Sequence, residues 1–257
     1  MSRILVPLYG AAAYLVFLAS FLYAIAWLGN FLVPKTIDSG EPAPLGEAVL
    51  VNLALLAAFA IQHSVMARPA FKRWWTQFVA PPVERATFVL FASVLLFAVC
   101  LGWRPMPQVV WHAEGAAAIA LWGLFAAGWL IVLAATFMIN HFELFGLRQV
   151  WLHARGRSYT APRYVERFLY RFVRHPIMLG FLVAFWAAPT MSAGHLLFAL
   201  ATTAYILVAL QLEERDLVAE HGAAYEAYRE RVPMLVPGLK GRGAPGKDAP
   251  GVAARTS

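Results

Sequence analysis

The sequence predicts an all-α, polytopic transmembrane helix bundle of five to six membrane segments, the last two forming a helical hairpin. Three observations carry that prediction. The composition is 61% hydrophobic and only 14% charged, with a mean hydropathy of +0.62, whereas soluble domains hold about 25% charged residues. Apolar runs recur at the length of about 20 residues that a helix needs to cross a bilayer. The loops between them alternate in Lys and Arg content, as the positive-inside rule requires.

Taken in order, the first span is read at Leu8 to Val33, behind Arg3. It is too long for the apolar region of a signal peptide, and no clear cleavage site follows, so it is expected to be retained. The connector Pro34 to Glu47 sets Lys35 against Asp38, Glu41 and Glu47 and is read as outside. The second span, Leu45 to Ala67, leads into Arg68 to Arg85, where Arg68, Lys72, Arg73 and Arg85 face only Glu84. That connector is read as inside. Within it, Phe71 to Val79 mixes bulky apolar and basic residues and is expected to lie in the interface plane. Ala86 to Gly102 and Ala116 to Ile139 are the next spans, joined by a connector carrying only Arg104 and Glu114.

The connector from His141 to Arg174 holds Arg148, Arg155, Arg157, Arg163, Arg167, Arg171 and Arg174 and is read as inside. The apolar stretch Pro176 to Leu212 is too long for one crossing. A break at Pro189 to Gly194 is expected to split it into arms Pro176 to Ala188 and His195 to Leu212. Both termini then fall on the cytoplasmic side. Residues 1–240 are read as one integral membrane domain, and the Gly, Ala, Pro and Lys-rich tail 241–257 as disordered.

Several function classes are disfavoured. The net charge of +7 resides in short loops between spans, which marks topology instead of a nucleic-acid surface. The single cysteine, Cys100, lies in an apolar run, so no disulfide framework or C-x-x-C pair is available. The histidine boxes of di-iron desaturases and the H-E-x-x-H of zinc proteases are absent, so no metal is expected. Neither a Rossmann nor a P-loop glycine motif occurs. His112, His153, His195 and His221 are scattered and read as surface or interfacial residues.

Polar side chains at membrane depth are costly, which makes them functional candidates. They form clusters at Gln62-His63-Ser64, at Asn140-His141 with Glu143 and Arg148-Gln149, at Arg174-His175-Pro176, and at Glu213-Glu214-Arg215-Asp216. Under the loop-charge topology all of them share the cytoplasmic face, which is the argument for one site. Pro176 suits the first turn of a helix because its missing N–H would be unpaired there anyway. The free amides that follow favour anionic groups.

The run Arg174-His175-Pro176 through Gly180, then Glu213-Glu214, Leu217, Gly222, Tyr225, Tyr228 and Val232-Pro233, resembles the isoprenylcysteine carboxyl methyltransferase superfamily. Gln62-His63-Ser64, Ala67-Arg68-Pro69 and the run Asn140 to Gln149 look more like its bacterial methanethiol S-methyltransferase branch, related to the NnrU-like proteins. The match extends over most of the chain through Pro237. This resemblance implies methyl transfer from S-adenosyl-L-methionine to a small thiol, with S-adenosyl-L-homocysteine and dimethyl sulfide as products, in a bacterial cytoplasmic membrane. It carries over Tyr170, His175, Pro176, Ile177 and Met178 as cofactor contacts, with Met178 standing where the family often has Tyr. Glu213 aligns best as the acidic contact, and Glu214 stays open. Pro162 to Val165 correspond roughly to a backbone-contact stretch.

A thiol is a weak nucleophile beside its thiolate. His141 or His63 is therefore expected to take the proton, and Arg148 or Arg174 to favour the thiolate. The rival readings are carboxyl methylation of a prenylated cysteine or another lipophilic substrate, a non-enzymatic membrane accessory protein, and, more distantly, an NADPH-dependent sterol reductase. The partners implied are a small thiol and the lipid bilayer, with oligomeric state left open.

Overall fold

The computed structural model describes residues 2–160 and 167–238. Its long helices are α1 (Leu5–Leu28), α2 (Leu45–Ala67), α4 (Pro81–Gly102), α5 (Gly115–Ile139) and α9 (Ala193–His221), and all five are long and apolar enough to cross a membrane. Shorter helices are α3 (Pro69–Trp75), α6 (His141–Leu144), α7 (Leu147–Ala154), α8 (Pro176–Trp186) and α10 (Ala223–Arg231). The bundle is thus five long helices plus the short apolar α8, which forms a hairpin with α9.

Local chemistry sets the boundaries. Proline opens α3, α4 and α8, where its lost N–H costs nothing. The first helix stops at Leu28, earlier than the apolar run predicts, because Gly29 caps it and Asn30 and Leu32 turn the chain at φ 58° and 60°. Conversely, α9 runs past Leu212 to His221, since no breaker intervenes before Gly222, whose φ of +55° ends the helix. The expected break between α8 and α9 is present, but it contains a strand the sequence did not suggest. Strand β2 (Thr190–Ser192) pairs antiparallel with β1 (Val109–His112), the connector between α4 and α5.

Packing follows the logic of helices in lipid, where close approach through small residues replaces a hydrophobic driving force. Helices α5 and α8 cross at Gly128 and Gly180. A Cβ on Gly180 would lie 2.7 Å from Gly128 O and 2.9 Å from Val132 N. Helix α1 packs along α4, and α2 bridges α4 and α9.

Toward the strand-bearing end, Trp27, Trp103, Phe125 and Phe198 form a buried aromatic core. Polar ties close that end. Asn52 Nδ2 donates to Arg104 O and its Oδ1 accepts from Arg104 N, both at 2.8 Å, while Ser192 bonds to Asp38. The other end of the bundle carries the candidate residues.

Candidate active site

Helices α2, α5 and α9 finish, and α4 and α8 begin, at the same end of the bundle, so the polar clusters separated in sequence meet there. The cross-ties are direct: Tyr14 to His141, Arg68 to Asp216, Arg85 to Leu144, and Arg174 and His175 to Glu214.

One node centres on Glu214. Its side chain is only 4% exposed, and its Oε1 accepts from Arg174 Nε at 2.6 Å and faces His175 Nε2 at 3.1 Å, while Arg229 Nε approaches Oε2 at 3.3 Å. Burial of a carboxylate is tolerated because cations surround it. The segment after α9 closes over this node. Arg174 Nη1 donates to Val232 O at 2.5 Å and Arg229 O at 3.1 Å, and the amides of Arg174 and His175 donate to Pro233 O and Met234 O. Tyr228 Oη donates to Tyr170 O at 2.6 Å, fixing the 3₁₀ turn Phe168–Arg171 just ahead of the motif.

The neighbouring Glu213 is placed differently. Its side chain is 47% exposed, with Oε2 3.9 Å from His175 Nδ1. Tyr170 lies within its electrostatic reach, and the Tyr170 hydroxyl is held more strongly protonated than usual, first by burial and then by the Glu213 charge. Buried Pro176 starts α8, and half-buried Ile177 and Met178 occupy its first turn, where helix geometry leaves the amides without intrahelical acceptors. The structure therefore brings Glu213 near His175 and within electrostatic reach of Tyr170, directly ahead of the first turn that holds Pro176, Ile177 and Met178, while Glu214 is buried on His175 and Arg174.

A second node centres on Glu143. Arg148 Nη1 donates to Oε2 at 2.8 Å, and Gln149 Nε2 and Tyr159 Oη donate to Oε1 at 2.8 and 2.6 Å. Tyr159 is pushed up to about 12 by burial and by its bond to Glu143. Arg148 also donates to Thr160 O and Oγ1. A groove of about 560 Å³ runs along the outer side of this node, lined by Pro7, Asn140, Phe142, Arg148, Val150 and Trp151 among others. None of the Glu214 node lines it.

The two histidines proposed from sequence differ in their surroundings. His141 stacks on Phe137 at 4.3 Å between ring centroids. Its Nδ1 meets Thr136 Oγ1 at 2.9 Å and its Nε2 meets Tyr14 Oη at 2.8 Å. Because the Thr136 hydroxyl donates to Leu133 O, it accepts from His141 Nδ1–H, and Tyr14 then donates to Nε2. Burial lowers the proton affinity of His141 below that of an ordinary histidine. His63 instead stacks on Phe59 and tilts against Phe88 at 5.0 Å, with its buried Nδ1 lacking any hydrogen-bond partner.

Sequence reasoning missed Tyr14, Tyr159 and, above all, Arg85. It was counted as a loop charge, yet it lies inside α4 with Nε donating to Leu144 O at 2.8 Å and its guanidinium 4.8 Å over the Phe88 ring. Gly146 permits this contact. At φ +84° it brings the α6–α7 turn so close to α4 that a Cβ would meet Ala86 N at 2.7 Å. The only available sign was an arginine placed after two helix-starting prolines, Pro81 and Pro82. Pro162 to Val165 and the tail 241–257 lie outside the described residues.

No protein-family model matches the chain, and no solved structure is significantly similar to it. Curated relatives are close. A methanethiol S-methyltransferase of Mycobacterium tuberculosis is 60% identical over 238 residues, covering 92% of this chain and 98% of the relative. Methanethiol S-methyltransferase 2 of Bradyrhizobium diazoefficiens is 57% identical over 94% of this chain and 93% of its own length. A methanethiol S-methyltransferase of Crocosphaera subtropica is 48% identical over 92% of this chain and 93% of its own length. Identity this high across nearly the whole of both chains places the protein, an integral membrane helix bundle with its polar clusters gathered at one end, in the methanethiol S-methyltransferase family.

Proposed function

We propose that the chain methylates methanethiol to dimethyl sulfide with S-adenosylmethionine as donor, at the cytoplasmic face of a bacterial membrane. The observation that carries the cofactor assignment is the contrast between the two adjacent glutamates: Glu214 is neutralised by Arg174, His175 and Arg229, whereas Glu213 stands half-open beside His175. A ligand with a carboxylate, an ammonium and ribose hydroxyls suits that arrangement. The first-turn amides of Ile177 and Met178 offer donors to its carboxylate, and Glu213 offers an acceptor to its ammonium or hydroxyls. Tyr170 and His175 flank the spot, and Pro176 fixes where the helix begins.

Bound S-adenosylmethionine supplies an already activated methyl group, so the protein's tasks are alignment, exclusion of water and generation of a thiolate. For proton removal, His63 is the better supported base, since its buried Nδ1 has no partner. A role for His141 in proton transfer runs through Tyr14, because both of its ring nitrogens are engaged. Arg148 and Arg174 contribute to the positive field, each screened by the glutamate it holds. The orientation rests on loop charge: the site end carries Arg68, Lys72, Arg73, Arg148, Arg155 and Arg157, as a cytoplasmic face does.

The test is direct. Purified protein is expected to gain thermal stability from S-adenosylhomocysteine but not from NADPH, and to release dimethyl sulfide into the headspace when given methanethiol and S-adenosylmethionine. Stabilisation by NADPH alone, or no thioether with an active donor, overturns the proposal.

A further inference from the structure

Three arginines of the site end are each held by a carboxylate. Arg68 Nη1 lies 2.7 Å from Asp216, Arg148 Nη1 lies 2.8 Å from Glu143, and Arg174 Nε lies 2.6 Å from Glu214. Arg85 is different. Among the described residues it makes no ion pair, and its Nε bond to Leu144 O and its position over Phe88 leave its terminal nitrogens without a carboxylate. A guanidinium held inside a helix bundle cannot shed its proton, and here Glu84, Glu143 and Glu213 support it only from a distance, which compensates its burial less well than a contacting carboxylate would. Such a group is explained if the contacting anion arrives with the substrate.

The surroundings say what kind of anion fits. The charged and titratable groups facing Arg85 are Glu84 on its own helix, Glu143 of α6, Tyr159 of the following connector, Glu213 of α9, His63 of α2 and Lys72 of α3. Both oxygens of Glu143 are already taken by Arg148, Gln149 and Tyr159. Arg85 and His63 contact the same Phe88 ring, at 4.8 and 5.0 Å. Buried atoms without partners cluster around it: Glu84 Oε1 on α4 itself, His63 Nδ1 and Gln62 Oε1 on α2, and Gln149 Oε1 on α7. The place therefore offers a guanidinium free of carboxylate contact, an unpartnered imidazole nitrogen and an aromatic wall formed by Phe59 and Phe88.

We propose that Arg85 and His63 form the thiol subsite, in which Arg85 binds the substrate sulfur as a thiolate and the phenylalanine rings receive its methyl group. This rests on the methyl-transfer reading and gives that reaction its nucleophile. The S–H proton passes to His63 Nδ1, and the freed sulfur pair forms the new S–CH₃ bond. The bonding pair of the broken C–S⁺ bond returns to the donor's sulfur, leaving two neutral thioethers, and His63 then gives its proton to water. Arg85, and not Arg148 or Arg174, supplies the decisive positive field, because the other two already spend their charge on Glu143 and Glu214. Small unbranched alkanethiols are the substrate class; a thiol carrying its own carboxylate would bring a second negative charge against Glu213 and Glu84.

The experiment compares wild type, Arg85→Gln and Arg85→Lys in two readouts. In the first, thermal stability is followed with S-adenosylhomocysteine, then with methanethiol added to form a dead-end complex. Arg85→Gln is expected to keep the stabilisation by S-adenosylhomocysteine and lose the increment from methanethiol. In the second, kcat/KM for methanethiol is expected to fall about a hundredfold, with the pH–rate profile displaced to higher pH, and Arg85→Lys to recover part of both. An Arg85→Gln protein with the wild-type methanethiol increment, or with unchanged kcat/KM and pH profile, overturns the assignment. Should Arg85→Gln fail to fold, Arg85→Lys decides alone, an unchanged pH profile and kcat/KM counting against it. Wild-type protein that forms no dimethyl sulfide at any pH defeats the methyl-transfer reading itself, before any variant is compared.

Discussion

Glu214 and Arg174 meet at 2.6 Å between Oε1 and Nε, with only 4% and 9% of their side chains exposed. That pair locks the end of α9 to the entrance of α8, and it leaves the adjacent Glu213 as the open carboxylate. A structural role and, in the proposed function, a ligand-facing one thus fall on consecutive residues.

Glu214→Gln is expected to destabilise the fold by about 3–5 kcal/mol, because Arg174 and His175 would lose their buried partner. A thermal or chemical melt checks this, and an unchanged melting temperature contradicts the locking role.

Glu213→Gln is expected to show the opposite pattern. With its side chain 47% exposed, its melting temperature without ligand should stay near wild type, while the stabilisation gained from S-adenosylhomocysteine should shrink. Isothermal titration gives the same comparison as a weaker affinity. Equal ligand affinity in the variant transfers the cofactor role away from Glu213.

His141 gives a pH dependence of known sign. Burial lowers its proton affinity in the fold, so the unfolded chain, with a pKa of about 6.5, binds the proton first as pH falls. Its contribution to stability is complete above that value and is lost as the solution is acidified below it. Melting temperatures measured between pH 8 and pH 5 should fall less steeply on acidification for His141→Gln than for wild type. Parallel curves would exclude the contribution.

Gly180→Val tests the α5–α8 crossing. A Cβ there meets Gly128 O at 2.7 Å, and overpacking of this kind costs about 1–3 kcal/mol or more. Since Gly180 lies just over one helical turn from Pro176, binding of S-adenosylhomocysteine should weaken along with the melting temperature. A variant with native stability would show that the helices separate without cost.

The long helices were legible in the sequence because the apolar length needed to cross a bilayer is a demanding pattern. Their common end for the polar clusters was legible too, from loop charge alone. The β1–β2 pair was not: Val109–His112 and Thr190–Ser192 are too short to show alternation, and only folding brings them together. The full engagement of His141 depends on Tyr14, 127 residues away, and no spacing rule reaches so far. Which of Glu213 and Glu214 faces inward is a question of helical phase, decided by how α9 packs. Arg85 was hidden because a cation ahead of an apolar run looks the same whether it marks topology or points into a bundle.

The eleven-residue α8 is about 16 Å long, roughly half of the hydrocarbon thickness, and the chain beyond it is sealed by backbone bonds from Ala113, Ala193 and Gly194 to Pro189, Gln108 and Met106. The bundle is therefore tied shut at the strand-bearing end. In the proposed function a charged nucleoside would come and go at the end beside Glu213, whereas a gas-like thiol and its oily thioether, soluble in the surrounding lipid, would need no aqueous doorway at all.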